Sequence, residues 1–258
     1  MAALGSVIGN RAWLRRNHPF PHVVARDVFS GDFYAALDAQ VAGILGRGLS
    51  ETPDPGRFSR NIPGYDSYGI GFGAAAPGPV GLFLTAQWRD TICDLFGVKA
   101  TPYVFAGAHH HAVGSASGFV HNDFNPVWFP RADEDAIRTP DAARCDYKTG
   151  TGPLPEEEKV QVVRGAVVLF FLRNHGWRPG DGGETGLYAD ARDPVDAPAL
   201  RCPPVDNSLV AFECTPRSFH TYLSNTRLPR TSIIMWVHRT LDEAGRTFGT
   251  EKLERWKN

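Results

Sequence analysis

Residues 219–239 read FHTYLSNTRLPRTSIIMWVHR, and the run from Arg230 decides the fold class. In an extended strand alternate side chains share a face, so Arg230, Ser232, Ile234, Trp236 and His238 lie on one side and Thr231, Ile233, Met235 and Val237 on the other. Both faces are too apolar for an edge strand in water. A guanidinium on the same face as Ile234 and Trp236 is a buried cation, and a buried cation needs an anion. A ligand carboxylate, gripped by two guanidinium hydrogen bonds and the Ser232 hydroxyl, meets that need.

Working outward, similar short apolar runs recur: TPYVFAGAHHHAV (101–113), GFVHND (118–123), VQVVRGAVVLFFL (160–172), GGETGLY (182–188), NSLVAFEC (207–214) and FHTYLS (219–224). Gly, Pro, Asn and Asp bound them, as in an all-β sandwich or barrel. The pair Asp206-Asn207 predicts a tight hairpin turn. Before residue 100 the pattern is helical. A short strand over His22–Ala25 precedes a helix capped by Ser30, with Tyr34, Leu37, Val41, Ile44 and Leu45 on its apolar stripe. After a Gly/Pro/Tyr-rich loop from about Thr52 to Gly78, a second helix is predicted from about Gly81 to Phe96, with Leu84, Trp88, Ile92 and Phe96 aligned and Gly97 as its stop.

The expectation is a single domain, mostly β with N-terminal helices (α+β): a helical support over 1–100, a β core over 101–240 and a tail over 241–258. Residues 125–159, rich in Pro and charge and without clear periodicity, form an insertion longer than compact domains usually carry. Its start beside Asp123 makes it a candidate lid.

The chain has 258 residues, a formal net charge of −1 and 21% charged residues, so it carries no basic footprint for nucleic acid or anionic membranes. Four scattered cysteines, Cys93, Cys145, Cys202 and Cys214, without a CxxC pair, read as reduced thiols. No apolar run is long enough for a signal sequence or a membrane span. A cytoplasmic protein with a small-molecule partner is the expectation; the oligomeric state is not legible.

Metal-binding residues come next. In GFVHNDFNP (118–126), His121 and Asp123 are two apart, and an extended backbone would turn both to one side to grip an ion. Among nine histidines, His18, His22 and His175 fall in loop or edge contexts and are expected at the surface. His109-His110-His111 cannot act as a three-ligand cluster, because His110 faces away from the other two. That leaves His220, His238 and one face of the triple, and His220 stands out by the Arg230 strand that follows it.

The ordered set of His121-x-Asp123, a distal His220, Arg230 ten residues on, then Ser232 and Trp236, resembles the iron(II)/2-oxoglutarate-dependent dioxygenases, most closely their prolyl-4-hydroxylase-like branch. GGET at 182–185 and HPFPHVVARDVFS at 18–30 resemble that branch too, and the likeness runs from about Pro19 to Arg239. The resemblance implies a double-stranded β-helix (jelly-roll or cupin-like) core. It also implies an iron(II) site of His121, Asp123 and His220, with the far carboxylate of the cosubstrate 2-oxoglutarate held by Arg230 and Ser232. With dioxygen, and ascorbate as reductant in vitro, such a site hydroxylates an unactivated C–H bond while 2-oxoglutarate becomes succinate and carbon dioxide. A carboxylate at 123 favours hydroxylation over halogenation; desaturation and ring formation stay open.

Two positions depart from the branch, where tyrosines often stand: His111, a substitute hydrogen-bond donor to the cosubstrate, and Phe171. Weaker candidates for substrate contact are Asn122, Asn125, Trp128, Arg173, Glu184 and Trp236, the last expected chiefly to pack the pocket floor. A small metabolite, such as an amino acid or biosynthetic intermediate, is the first expectation for the substrate. A peptide or protein residue such as proline is the second, and a non-catalytic cupin-like metal or carboxylate binder is a third reading of another class.

Overall fold

Strand Arg230–Thr240 is the spine of the molecule, pairing antiparallel with Val104–His111 on one side and Lys159–Phe171 on the other. The computed structural model describes residues 4–60, 65–132 and 136–253, so short parts of the Thr52–Gly78 loop, of the 125–159 segment and of the tail lie outside the described residues. In chain order the strands are β1 Leu14–Arg16, β2 His22–Arg26, β3 Leu49–Ser50, β4 Phe58–Ser59, β5 Tyr68–Gly71, β6 Val104–His111 and β7 Pro126–Pro130. There follow β8 Lys159–Phe171, β9 Thr185–Leu187, β10 Leu200–Cys202, β11 Ser208–Glu213, β12 His220–Tyr222 and β13 Arg230–Thr240. The α-helices are α1 Leu4–Val7, α2 Gly31–Leu45, α3 Ala86–Phe96 and α4 Leu241–Phe248.

The large sheet runs β1-β2-β11-β8-β13-β6-β5-β4-β3, with β7 paired to β8, and the small sheet runs β10-β9-β12. A bridge between His121 and His220 adds the 118–123 segment to the small sheet beside β12. Along the chain the segments therefore alternate: β6 large, 118–123 small, β8 large, β9 and β10 small, β11 large, β12 small, β13 large. That alternation of two antiparallel sheets is a jelly roll.

The two faces of the large sheet have separate jobs. Its outer face, with Ile233, Met235, Val168 and Phe170, packs on Leu37 and Val41 of α2 and Trp88 and Ile92 of α3. Burying each such aliphatic side chain contributes about 1.5–3 kcal/mol, more than a helix cap at ~1 kcal/mol. This explains why α2 forms behind Ser30 although that side chain makes no capping bond. The inner face, with Val167, Leu169, Phe171, Ile234 and Trp236, meets Leu187 and Cys202 of the small sheet. The site lies between the sheets.

Several sequence expectations need correction. The second helix is two pieces: a 3-10 turn over Pro79–Leu84, then α3, whose Thr85 hydroxyl accepts from the Trp88 N–H and so starts a new helix. Asp206-Asn207 turns the chain, with Asn207 at φ 54°, but it leads from β10 of the small sheet into β11 of the large one and closes no hairpin. His22 is fully buried, its Nδ1 2.8 Å from the Phe20 carbonyl, because β2 is covered by β1 and is no edge. The 125–159 segment opens as β7, which pairs with β8, and ends in a 3-10 turn over Glu156–Glu158 and the first residue of β8; Cys145 and Leu154 between them are buried. The tail begins as α4, whose Phe248 packs on Phe124 at 5.1 Å. All four cysteines are free and buried, and among the described residues no helix is long and apolar enough to cross a membrane.

Candidate metal and carboxylate site

The backbone first brings the two histidines together. His121 and His220 exchange both main-chain hydrogen bonds, at 3.1 and 2.8 Å, which sets their rings 4.3 Å apart. The third group arrives by a route that differs from the expectation. Asp123 does not continue an extended strand; it sits at φ 58° in the left-handed region. A local turn holds it there, with the Asn122 Oδ1 accepting from the Phe124 N–H and the Asp123 carbonyl accepting from the Asn125 N–H. Asn122 and Asn125 are buried parts of this turn.

Donor atoms of His121, Asp123 and His220 lie within 4.8 Å of one another, with Asp123 Oδ1 3.7 Å from His121 Nε2 and Oδ2 3.5 Å from His220 Nε2. Neighbouring ligands on one ion, at metal–ligand distances near 2.0–2.2 Å, lie roughly 3 Å apart, so small side-chain adjustments close the triad. The tautomers suit it. His121 Nδ1 and His220 Nδ1 lie 2.9 and 3.0 Å from the carbonyls of Phe119 and Ser218, which can only accept. Each Nδ1 thus carries the proton, and each Nε2 lone pair faces Asp123. Burial, with the His220 ring beside it, lowers the His121 pKa to about 4, so the ring is a neutral ligand at pH 7. Burial raises the Asp123 pKa, but the Arg164 guanidinium outweighs it and holds the carboxyl well below its ordinary value.

Arg164 is the residue that sequence reasoning missed. It is buried on β8, its Nη1 donates to Asp123 Oδ1, and its guanidinium lies 3.9 Å over the Trp236 ring. Trp236 is more than floor packing, since its Nε1 donates to Asp123 Oδ2 at 2.9 Å. Behind them the Tyr147 hydroxyl accepts from Arg164 Nε at 3.3 Å and meets His238 Nε2 at 2.9 Å. The β13–β8 register shifts between Val237 and His238, skipping Gly165, so that Arg164 stands directly opposite His238. A lone Arg inside VQVVRGAVVLFFL signals a buried cation as Arg230 does, but strict alternation groups it with Val168 and Phe170 of the outer face, and only the register skip at Gly165 sets it opposite His238.

At the other end of the cavity stands Arg230, 4% exposed, with its Nη2 donating to Thr185 Oγ1 at 3.2 Å. Among the described residues no carboxylate pairs with it, and its Nε is buried without a hydrogen-bond partner. The Ser232 Oγ and His111 Nε2 are orphaned in the same way. Gly182 and Gly183, at φ 79° and 81°, let the chain approach: a Cβ at 182 would stand 2.1 Å from the Ser224 carbonyl. This tight passage places Thr185 on Arg230. Phe171 lies under the guanidinium, 5.1 Å from ring centre to Cζ.

The weaker candidates separate. Arg173 turns outward to Asp38 of α2 at 2.9 Å, and a Cβ on Gly150 would press on the Trp128 ring, so both are structural. Glu184 is buried beside the Gly-Gly passage, its backbone carbonyl accepting from Leu223. His111 does not match its expected role: Nδ1 is bonded to the Asp66 carbonyl at 3.0 Å, and burial first, then Arg230, hold the ring's pKa well below 6.5. Its inward Nε2 is an acceptor and cannot donate to a carboxylate. The ring instead stacks on Tyr222 at 3.5 Å.

Comparison with known proteins fits this geometry. No protein-family model and no curated protein sequence matches the chain. A Pseudomonas putida prolyl-4-hydroxylase is 18% identical with a TM-score of 0.52, covering 92% of this chain and 98% of its own. A Trichoplax adhaerens prolyl hydroxylase, solved with a hypoxia inducible factor oxygen degradation domain peptide fragment, is 13% identical with a TM-score of 0.55, covering 88% of this chain and 86% of its own. The chain has the fold of the prolyl-4-hydroxylases. At these identities the likeness concerns the fold, and function rests on the site.

Proposed function

We propose that the protein is an iron(II)- and 2-oxoglutarate-dependent dioxygenase with a double-stranded β-helix core, hydroxylating an unactivated C–H bond. The observation that carries this reading is the pairing, between the two sheets, of a His121-Asp123-His220 triad with a buried Arg230 that has no carboxylate partner among the described residues. Two imidazoles and one carboxylate with open positions are the facial set that suits non-haem iron(II). Orphaned groups that can donate, Arg230 Nε, Ser232 Oγ and the Tyr222 hydroxyl, fit a bound polar ligand better than an empty core. Iron(II), when bound, supplies the redox chemistry that couples oxidative decarboxylation of 2-oxoglutarate to hydroxylation.

The chain's own residues do the rest. His121, Asp123 and His220 hold the ion on one side only. Arg164 and Trp236 engage one oxygen each of Asp123, fixing the carboxylate plane before metal arrives. Arg230 and Ser232 take the far carboxylate of 2-oxoglutarate in a water-poor pocket, where a guanidinium is worth most. In this reading the 125–159 segment covers the site from the Asp123 side and limits water entry.

For the substrate, a small metabolite remains the first reading. A peptide residue is the second, favoured by the prolyl hydroxylases that share the fold. Succinate release from 2-oxoglutarate, with iron(II) and ascorbate, tests the reaction; stimulation by a metabolite library against a proline-containing peptide library tests the substrate. No iron-dependent succinate release with either library would overturn the enzyme reading in favour of a non-catalytic binder.

A further inference from the structure

Four buried polar atoms without a partner stand at the Arg230 end: Arg230 Nε, Ser232 Oγ, His111 Nε2 and the hydroxyl of Tyr222, whose ring centre lies 5.6 Å from the guanidinium. The Ser232 Oγ can turn inward, but the His111 Nδ1–H is already given to the Asp66 carbonyl, leaving a lone pair toward the cavity. A carboxylate would meet repulsion there, not a bond. Arg230 has Nη2 engaged by Thr185 and Nε free. Two carboxylate oxygens offer about four acceptor sites, so one more donor has room.

His109 answers the description. It is two residues before His111 on β6 and stands directly opposite Ser232 in the β6–β13 register, as His111 stands opposite Arg230. Directly paired residues of antiparallel strands point to the same face, so His109 projects between the sheets with Ser232, Ile234 and Trp236. It is half-buried, although its neighbours Ala108 and Ser232 are fully buried, so part of its ring is left uncovered by the fold. Among the described residues it makes no hydrogen bond. It lies in the fields of Arg230, Asp123 and Arg164, that is, between the two ends of the site, and burial lowers its pKa to about 4. A neutral imidazole with both nitrogens uncommitted can adopt either tautomer and present an N–H.

We propose that His109, and not His111, is the histidine donor to the cosubstrate: its ring N–H joins Arg230 and Ser232 on the far carboxylate of 2-oxoglutarate. This rests on the reading of the site as a 2-oxoglutarate pocket. His111 becomes a positioning residue, stacking on Tyr222 and tying β6 to the Tyr65–Ser67 turn through the Asp66 carbonyl.

Calorimetric titration of 2-oxoglutarate into protein loaded with Mn(II), a redox-inert stand-in for iron(II), tests it without turnover. A hydrogen bond to a charged group is worth about tenfold to a hundredfold in affinity, so His109→Ala should weaken 2-oxoglutarate binding by that much while Mn(II) affinity stays unchanged. His109→Gln, which keeps an N–H donor, should recover part of the loss. His111→Phe, which keeps the stack on Tyr222, should lose less than His109→Ala. Wild-type affinity in His109→Ala, or the larger loss in His111→Phe, would overturn the assignment while leaving the 2-oxoglutarate pocket standing. Absence of any Mn(II)-dependent 2-oxoglutarate binding by the wild-type protein would overturn the pocket and the assignment together.

Discussion

Arg164 on β8 and Arg230 on β13 lie on adjacent strands of the same sheet, both almost fully buried, yet their surroundings differ in kind. Arg164 is saturated: Asp123 takes Nη1, the Tyr147 hydroxyl takes Nε, and the Trp236 ring lies under the plane. Arg230 has a threonine hydroxyl, two aromatic neighbours and an unpartnered Nε. Desolvating a cation costs several kcal/mol unless an anion offsets it. The Asp123 carboxylate offsets it within the fold for Arg164, and burial alone pushes the Arg230 guanidinium below its ordinary pKa. One end of the site is completed by folding; on the proposed reading, the other would be completed by a ligand.

The largest effect should come from removing a metal ligand. His220→Ala leaves two protein donors, which rarely hold a divalent ion against water, so Mn(II) binding by calorimetry and all succinate release should disappear. Full activity in that variant would detach the Asp123 end from metal chemistry altogether.

Next comes Arg230→Ala. Removing one partner of a buried charge pair costs roughly 3–5 kcal/mol, about a hundredfold or more in affinity, and the loss should appear in the KM for 2-oxoglutarate with metal affinity nearly intact. Arg230→Lys, a point charge without the planar fork, should fall between. A normal KM in Arg230→Ala would erase the contrast between the two arginines. Arg164→Met should do the reverse: metal affinity should fall about tenfold to a hundredfold, as for partners that orient ligands, while 2-oxoglutarate affinity at saturating metal holds.

These contrasts also show what could be read from residue order and what could not. His121, Asp123, His220, Arg230 and Ser232 were legible because charged or metal-binding groups interrupt strongly apolar β-runs at alternating spacing. The triad itself depends on long-range pairing, His121 opposite His220 across about a hundred residues, which only the ordered resemblance suggested. Asp123 does lie beside His121 and His220, but a left-handed turn and not strand alternation aims it. The His111 error has a similar origin. Alternation fixes which way a ring points, but its proton is set by Asp66, forty-five positions earlier and invisible to local pattern. Helix placement failed at Thr85, where a capping hydroxyl splits one apolar stripe into two elements, and at α4, which was read as tail, while β1 and β3–β5 went unread in a region taken as helical.

The smallest expected effect sharpens the comparison most, because it asks whether the finished end is finished by Asp123 alone. Tyr147 comes from the 125–159 segment, and its hydroxyl bonds both Arg164 Nε and His238 Nε2 while burial raises its pKa to about 12. Tyr147→Phe keeps the ring beside Phe105 and Phe129 and removes only the hydroxyl. Leaving a buried donor unsatisfied costs about 1–3 kcal/mol, and a loss of 1 kcal/mol lowers the Tm of a domain of 150–250 residues by about 2–4 °C. A Tm drop of a few degrees is therefore expected, because Arg164 Nε and His238 Nε2 both lose a partner. Metal affinity should change by less than about threefold, since the two bonds that orient Asp123, from Arg164 Nη1 and Trp236 Nε1, remain. Should metal affinity fall as far in Tyr147→Phe as in Arg164→Met, the hydroxyl would be holding the guanidinium on Asp123, and the covering segment would be part of the metal site's support.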